Sequence, residues 1–207
     1  MTDRLSIYNG ALRLLGERRL AGLTEDREPR YLLDDVWDSD GIRRCLEAAE
    51  WGFATRQLEL NSSPSFAPQF GYQFAFERPD DFVRLVGITA TPGGTPFRQY
   101  QDQGGLFFAS LDPIYVSYVS DDNQFGRDFS LWTDHFEDYV EAYFASEIGP
   151  TLTASESKIE RIEAQMDKAK TEAASIDAMG RPSVRLPRGS WSTARLAGSH
   201  LNDRYRR

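Results

Sequence analysis

The sequence has few of the side chains that most often bind metals or act as nucleophiles. Its 207 residues include one cysteine, Cys45, and two histidines, His135 and His200. One cysteine excludes a disulfide within the chain and every zinc site built mainly from cysteine. Neither histidine lies in a recognisable motif with a serine or cysteine nucleophile. We therefore expect no catalytic residues, no metal ligands and no cofactor.

Long apolar runs are also missing. A transmembrane helix needs about 20 predominantly apolar residues, and no run in the chain approaches that length. Residues 1–4 are not followed by the apolar stretch of a secretory signal. We therefore expect no membrane partner, and a location in reducing cytosol or in a particle assembled there.

Charge is unevenly distributed along the chain. The 24 basic and 32 acidic residues give a net charge of −8, which argues against an ordinary DNA-binding or membrane-surface domain. Residues 181–207 contain seven arginines and one acidic residue, a net charge of +6, so residues 1–180 carry −14. The sequence thus combines an acidic body with a basic C-terminal arm, residues 181–207.

Helical periodicity is present in the first fifty residues. Apolar side chains recur at spacings of three and four up to Leu15, and Gly16 suits a helix stop. A second helix is predicted to begin near Pro29, a residue tolerated in the first turn. Gly41 marks a kink or a break in it. The two predicted helices form an antiparallel pair.

The composition changes after Trp51, where the chain becomes rich in aromatic residues, prolines and glycines. A period close to two predicts short antiparallel strands. The predicted strands cover residues 57–60, 72–76, 82–88, 106–109 and 114–119.

Two further helices are predicted after this β region. One has an aromatic stripe from Phe129 to Tyr143 and is expected to stop at Gly149-Pro150. The other opens at Thr153 with Glu156 three residues later, a capping-box pattern, and ends near Met179. Its apolar stripe follows heptad spacing and comprises Ile159, Ile162, Met166, Ala169, Ala173 and Ile176. So narrow an apolar stripe predicts that one edge of the helix is packed and that most of its surface faces solvent. A neighbouring subunit could cover part of that surface.

The predicted fold class is therefore α+β. It combines an antiparallel bundle of about four helices with an inserted small antiparallel β region and an extended C-terminal arm. The helical bundle covers residues 1–56 and 128–180, the β domain residues 57–127, and the arm residues 181–207.

Several patterns that resemble functional motifs have simpler interpretations. The glycine pairs Gly93-Gly94 and Gly104-Gly105 do not lead from a strand into a helix, so they are turns rather than phosphate-binding loops. Cys45 is predicted to be a buried small hydrophobic residue. The acidic residues of the third predicted helix are interpreted as a solvated face. With 32 acidic residues, a pair of neighbouring carboxylates carries little information about glycosidase chemistry.

The arm lacks apolar periodicity, and its composition alone is typical of disorder. Trp191 lies between Arg188 and Arg195, and tryptophan and arginine are enriched as anchors of protein interfaces. Phosphate binding by the arginines is the alternative. We expect an arm that becomes ordered on a partner protein.

Five segments in order resemble one known family. They are YNGALRLLGE at residues 8–17, CLEAAEWGFA at 45–54, YQFAFERPDDFVRL at 72–85, AYFASEI at 142–148 and WSTAR at 191–195. This order resembles the tail tubular protein A family of short-tailed bacteriophages, whose members are head-to-tail adaptors. The resemblance covers nearly the whole chain.

The resemblance implies a structural, non-catalytic protein of the virion tail, assembled in the host cytoplasm. It implies a homo-oligomeric ring of twelve copies between the portal protein and a tail nozzle protein similar to tail tubular protein B. DNA would pass through the ring without specific binding. The expected portal-binding residues are Arg185, Arg188, Trp191 and Arg195. The loops around Gly93, Gly94, Gly104 and Gly105 are weaker candidates for facing the nozzle.

Three other functions stay open at the level of sequence. The chain could be a tail-associated polysaccharide or cell-wall hydrolase that uses a carboxylate pair. It could be an assembly factor that binds nucleic acid through the basic arm. It could also be a connector of longer-tailed phages, although the central β region argues against the mostly helical members of that group.

Overall fold

A computed structural model of the chain describes residues 2–180. These residues form an α+β fold, as predicted, with five α-helices and six strands within that range. The helices are α1 (Arg4–Leu15), α2 (Glu28–Asp38), α3 (Gly41–Glu47), α4 (Asp134–Leu152) and α5 (Glu156–Gly180). The strands are β1 (Thr55–Leu60), β2 (Phe74–Glu77), β3 (Phe82–Thr89), β4 (Tyr100–Gln103), β5 (Leu106–Ala109) and β6 (Ile114–Ser120).

The ends of α1 are determined by local sequence. Asp3 is the N-cap and accepts a hydrogen bond from the backbone N–H of Ser6 at 2.7 Å. Gly16 is the C-cap, with a φ of 71° in the left-handed region that glycine adopts at low cost. The predicted stop at Gly16 is confirmed.

The predicted second helix is two helices, α2 and α3, separated at Asp40. Asp40 has a φ of 62°, which interrupts the right-handed path. A β-carbon at Gly41 would stand 2.7 Å from the carbonyl oxygen of Val36, so the chain can turn this tightly only with glycine there. The predicted break at Gly41 is confirmed.

The bounds predicted for the last two helices are wrong by a few residues. Asp128 caps a 3-10 turn, Phe129–Leu131, and α4 begins only after Thr133, whose side chain accepts from Phe136 N–H at 3.3 Å. Pro150 lies inside α4, which continues to Leu152.

Proline removes one backbone donor, yet the last turn still closes because Thr153 N–H donates to Gly149 at 2.9 Å. The capping box predicted at Thr153 is not used. Instead α5 begins at Glu156, and the carbonyl of Ser155 accepts from Lys158 and Ile159, each at 3.1 Å.

The strands form two three-stranded antiparallel sheets. Sheet A has the order β1-β6-β3, and sheet B has the order β2-β5-β4. The five predicted strands are present with shifts of up to two residues at their ends. Strand β4, with the sequence YQDQ, was not predicted. It is a polar edge strand whose last three residues are exposed, so it has no apolar alternation to detect.

Each sheet has an inner end next to the helices and an outer end away from them. In sheet A, Thr55 pairs with Val119 at the inner end, and Leu60 pairs with Ile114 at the outer end. The four residues 78–81 connect β2 to the inner end of β3, and residues 110–113 connect β5 to the outer end of β6. Sheet B therefore has its Glu77 end at the inner side and its Ala109 end at the outer side.

Two apolar cores hold these elements together. In the larger one, α4 packs against α1, α2, α3 and α5, and Trp51 is buried against Phe136 and Tyr139 with ring centroids 4.8 and 6.1 Å away. The smaller core lies between the two sheets around Phe107 and Tyr118. The aromatic stripe of α4 thus belongs to the core, as predicted.

In residues 2–180, none of the helices combines the length and the apolar character required to cross a membrane.

Candidate functional site

The predicted portal anchors are not among the residues that the structure describes. Arg185, Arg188, Trp191 and Arg195 all lie beyond residue 180. The structure describes the chain up to the end of α5, the helix that precedes the arm.

Helix α5 ends beside the inner end of sheet A. Both carboxylate oxygens of Asp177 accept hydrogen bonds from the backbone N–H of Gly52, at 2.8 and 3.0 Å. A β-carbon on Gly52 would stand 3.1 Å from the carboxylate of Asp177, so this close approach suits glycine. Because Gly52 lies just before β1, these bonds place the end of α5 at the junction of the helices with sheet A.

The surface of α5 is largely open in the described part of the chain. Sixteen of its 25 residues are exposed, and only Ile162 and Ala173 are fully buried. Five of the six residues of its heptad stripe are buried or half-buried, whereas Ile176 is 38% exposed. Met179, three residues further on, is 79% exposed. The predicted single packed edge is present, and the apolar side chains of α5 from Ile176 onward are exposed.

A polar cluster around Asp81 organises the inner end of sheet A. The Asp81 carboxylate accepts from Arg56 at 2.9 Å, from the Tyr118 hydroxyl at 2.9 Å and from the Ser120 hydroxyl at 2.5 Å. Burial by itself raises the pKa of Asp81, but the three donors outweigh it and lower the pKa below its usual value. The cluster therefore holds β1, β3 and β6 together through an ionised carboxylate.

Arginines connect this end of the sheet to α3. Arg43 forms an ion pair with Asp121 and also donates to the carbonyl of Phe82 at 2.6 Å. Arg84 on β3 donates to the carbonyl of Glu47 at 3.0 Å. Charge-assisted bonds of this kind are stronger than neutral ones, so they brace the sheet against the helices.

The outer end of the sheets carries exposed apolar side chains. Loops 61–73, 90–99 and 110–113 all lie there, because each joins strands at their outer ends. Phe66 is 41% exposed, Phe70 57% and Leu111 39%. Three exposed large apolar side chains at one end of the sheets make this end a candidate interaction surface.

The two glycine pairs lie at opposite ends of the β region. Gly93 and Gly94 border an outer-end cleft of about 280 Å³, which Glu59 and Tyr115 also line. Gly104 and Gly105 form the β4–β5 turn at the inner end, where Arg78 N–H donates to the carbonyl of Gly105 at 3.4 Å. The structure therefore does not bring together the four glycines predicted to face the nozzle.

Of the one cysteine and two histidines, the structure places Cys45 in the core. Cys45 is fully buried, as predicted, and burial raises the pKa of its thiol. His135 lies on α4, half-exposed, and His200 is outside the described residues. Across residues 2–180 no group of three or more histidine, cysteine or carboxylate side chains could hold a metal ion.

The acidic residues of α4 are not simply a solvated face, and that prediction is wrong for Glu141. Its side chain is only 16% exposed and pairs with Arg13 at 2.9 Å. Burial raises the pKa of Glu141, and the Arg13 guanidinium opposes that shift. Asp134 and Asp138 on the same helix are exposed.

Sequence analysis missed the apolar surface at the outer end. A signal was available, because residues 61–76 contain no charged side chain and include four phenylalanines. Periodicity does not separate the exposed Phe66 and Phe70 from the buried Phe76, since all three lie near short strands.

Comparison with known proteins adds no relative to this picture. No model of a known protein family matches the chain. No curated protein matches it either.

Proposed function

We propose that the protein is a structural head-to-tail adaptor in the virion of a short-tailed bacteriophage. In this proposal it forms a homo-oligomeric ring, binds the portal protein through its C-terminal arm and binds the tail nozzle protein with its other end. It lines the channel through which DNA is ejected, and its role is assembly rather than catalysis.

The observation that carries the proposal is the separation of two unlike surfaces. The basic arm, residues 181–207, follows α5, whose residue Asp177 binds Gly52 at the inner end of sheet A. The uncharged surface with Phe66 and Phe70 lies at the outer end. The six residues of β1 span roughly 17 Å between these ends. A protein that joins two different partners needs two such surfaces.

The charge distribution suits a channel for DNA. Residues 1–180 carry −14, and α4 contains five acidic residues and neither lysine nor arginine. Like charge keeps a polyanion from adhering to the wall along which it moves.

The open surface of α5 suits contacts between ring neighbours. Sixteen exposed residues on a 25-residue helix leave a long face available. Repeated weak contacts in a closed ring add up to a stable assembly. The number of twelve copies rests on the family resemblance alone.

The experiment that tests the proposal is native mass spectrometry of the full-length chain, alone and mixed with the portal protein of the same virion. We expect a free chain when it is alone and a ring bound to the portal in the mixture. Trp191→Ala and Arg188→Glu should weaken the portal complex, because both remove predicted anchors.

Arg204→Glu makes the same change of charge elsewhere in the arm and serves as the control. A wild-type chain that leaves the portal unbound contradicts the adaptor function. Equal binding by Arg188→Glu, Trp191→Ala and Arg204→Glu contradicts the assignment of the anchors. A salt-sensitive shift of DNA mobility by the wild-type chain would favour the nucleic-acid-binding function instead.

A further inference from the structure

We propose that the loop of residues 64–71 is the anchor by which this chain docks into an uncharged, apolar pocket of the tail-side partner, with Phe66 and Phe70 as the inserted side chains. The proposal rests on the proposed function and identifies the tail-facing surface within it. The proposed tail-facing surface is one continuous segment rather than two separate glycine turns.

The loop is exposed along its whole length and has no charge. All eight residues from 64 to 71 are exposed, and the uncharged run extends from 61 to 76 in a chain of net charge −8. A surface without charge needs no counter-charge on its partner, and burying it against polar or charged groups would leave those groups unpaired. The matching partner surface is therefore apolar.

The base of the loop is held by hydrogen bonds. Ser62 donates to Asp112 through both its backbone N–H, at 3.1 Å, and its hydroxyl, at 2.6 Å. The Ser63 N–H donates to the carbonyl of Ala75 at 2.8 Å, and its hydroxyl donates to Glu77 at 2.8 Å. These bonds join the loop to both β2 and the 110–113 turn, so less ordering is required on binding.

The tip of the loop holds Phe70 in a conformation that bulky residues rarely adopt. Its φ is 56°, in the left-handed region, and Gly71 follows with a φ of 80°. The turn is closed by Tyr72 N–H, which donates to the carbonyl of Gln69 at 3.1 Å. A strained backbone at an exposed residue points to a role in binding rather than in folding.

The Phe70 ring has one aromatic contact with the sheet and stays largely exposed. The ring meets Phe108 in a T-shaped contact with centroids 5.5 Å apart, yet Phe70 is 57% exposed. Leu111, three residues after Phe108, is also exposed. Phe70 is thus oriented by the sheet and available to a partner.

The size of the surface favours a partner that meets a ring. Phe66, Phe70 and Leu111 together expose roughly 200–300 Å² of apolar surface. A stable complex of two free chains buries about 1,200 Å² or more in total. The surface is too small to hold two copies together by itself, but it becomes effective when many copies in a ring bind one partner assembly.

The test uses the full-length chain assembled on the portal protein, with the nozzle protein of the same virion as probe. The variants are Phe66→Ala combined with Phe70→Asn, and Leu111→Ser separately. Asparagine tolerates the left-handed conformation, so Phe70→Asn removes the ring and keeps the turn. Tyr31→Ala, which removes an aromatic side chain 49% exposed on α2, is the control.

We expect all variants to form the portal complex and to melt near the wild-type temperature. The phenylalanine double variant should lose affinity for the nozzle protein by roughly tenfold or more, Leu111→Ser should lose part of it, and Tyr31→Ala should lose none. Wild-type binding to the nozzle protein should change little between about 0.1 and 0.5 M salt, because the contact is uncharged.

Nozzle binding that persists in the double variant, or that collapses with salt, overturns the proposal and leaves the adaptor function in place. A wild-type chain that binds neither the portal nor the nozzle protein overturns the adaptor function, and the docking loop with it.

Discussion

The carboxylate of Glu141 on α4 lies against the backbone of Gly10 on α1. A β-carbon at position 10 would stand well under 3.0 Å from that carboxylate, so a side chain at residue 10 would displace the carboxylate from its place beside Arg13. Glycine inside a helix costs about 1 kcal/mol relative to alanine. At residue 10 this cost is set against the space that glycine leaves for the ion pair of Glu141 with Arg13.

Gly10→Ala should therefore gain less stability than alanine usually brings to a helix interior, because the Glu141 carboxylate must move away from Arg13. Because the displaced group is the end of a flexible side chain, we expect a free energy of unfolding within about 1 kcal/mol of the wild type, measured in urea. Gly149→Ala is the matched control, because that helical glycine has its nearest neighbour, Leu15, at an ordinary 3.5 Å. If both variants are equally stable, the Gly10–Glu141 contact is not the reason for the glycine.

Glu141→Gln should become more stable relative to the wild type as pH rises. The pKa of Glu141 is raised in the folded state, so its protonated form contributes stability below the unfolded pKa of about 4.5. That contribution is lost as pH rises through the higher folded value. Glutamine stays neutral throughout. Urea unfolding between about pH 4 and 7 measures the difference, and the exposed Glu163→Gln controls for the change of charge. A difference that shrinks with rising pH contradicts the prediction.

Asp81→Asn should loosen the inner end of sheet A at neutral pH. The pKa of Asp81 is lowered, so its stabilisation is present above the unfolded value of about 3.8 and is lost as pH falls through the lower folded value. We expect a loss of about 2 kcal/mol at pH 7, since an ionised acceptor for Arg56 disappears. The difference in stability between the variant and the wild type should disappear in acid, where Asp81 of the wild type is protonated. Asp80→Asn, at the exposed neighbouring position, should have little effect, and a comparable loss there would argue against the cluster.

The thiol of Cys45 should not react with a thiol reagent in the folded protein. Cys45 is fully buried and burial raises its pKa, so little thiolate is present and the reagent has no access. We expect one reactive thiol per chain in denaturant and almost none in buffer, measured by absorbance after addition of an aromatic disulfide. Immediate reaction in buffer would show that this part of the core opens readily.

Local rules predicted several features correctly because their causes lie within a few residues. Gly16 ends α1 through its own left-handed φ, and Gly41 separates α2 from α3 through contact with Val36. The same rules misplaced the end of α4, because the helix continues two residues past Pro150 and is closed by a bond from Thr153. They missed β4, because a polar edge strand owes its existence to pairing with β5.

The candidate surfaces depended on distant pairings. Asp177 meets Gly52 across 125 residues of chain, and Glu141 meets Gly10 across 131. No local pattern encodes such contacts, since they follow from how whole helices pack. The position of the Phe70 ring likewise depends on its contact with Phe108. The pairing of β2 with β5 brings the loop near that residue.

By itself, the sequence determined the class of the fold, most of its helices and strands and the split between an acidic body and a basic arm, since periodicity, turn residues and charge are properties of local composition. Only the tertiary structure decided which acidic residue of α4 is buried, where the end of α5 lies and which loops share the outer end of the sheets. These features arise from contacts between residues far apart in the chain, and those contacts exist only after the elements have packed.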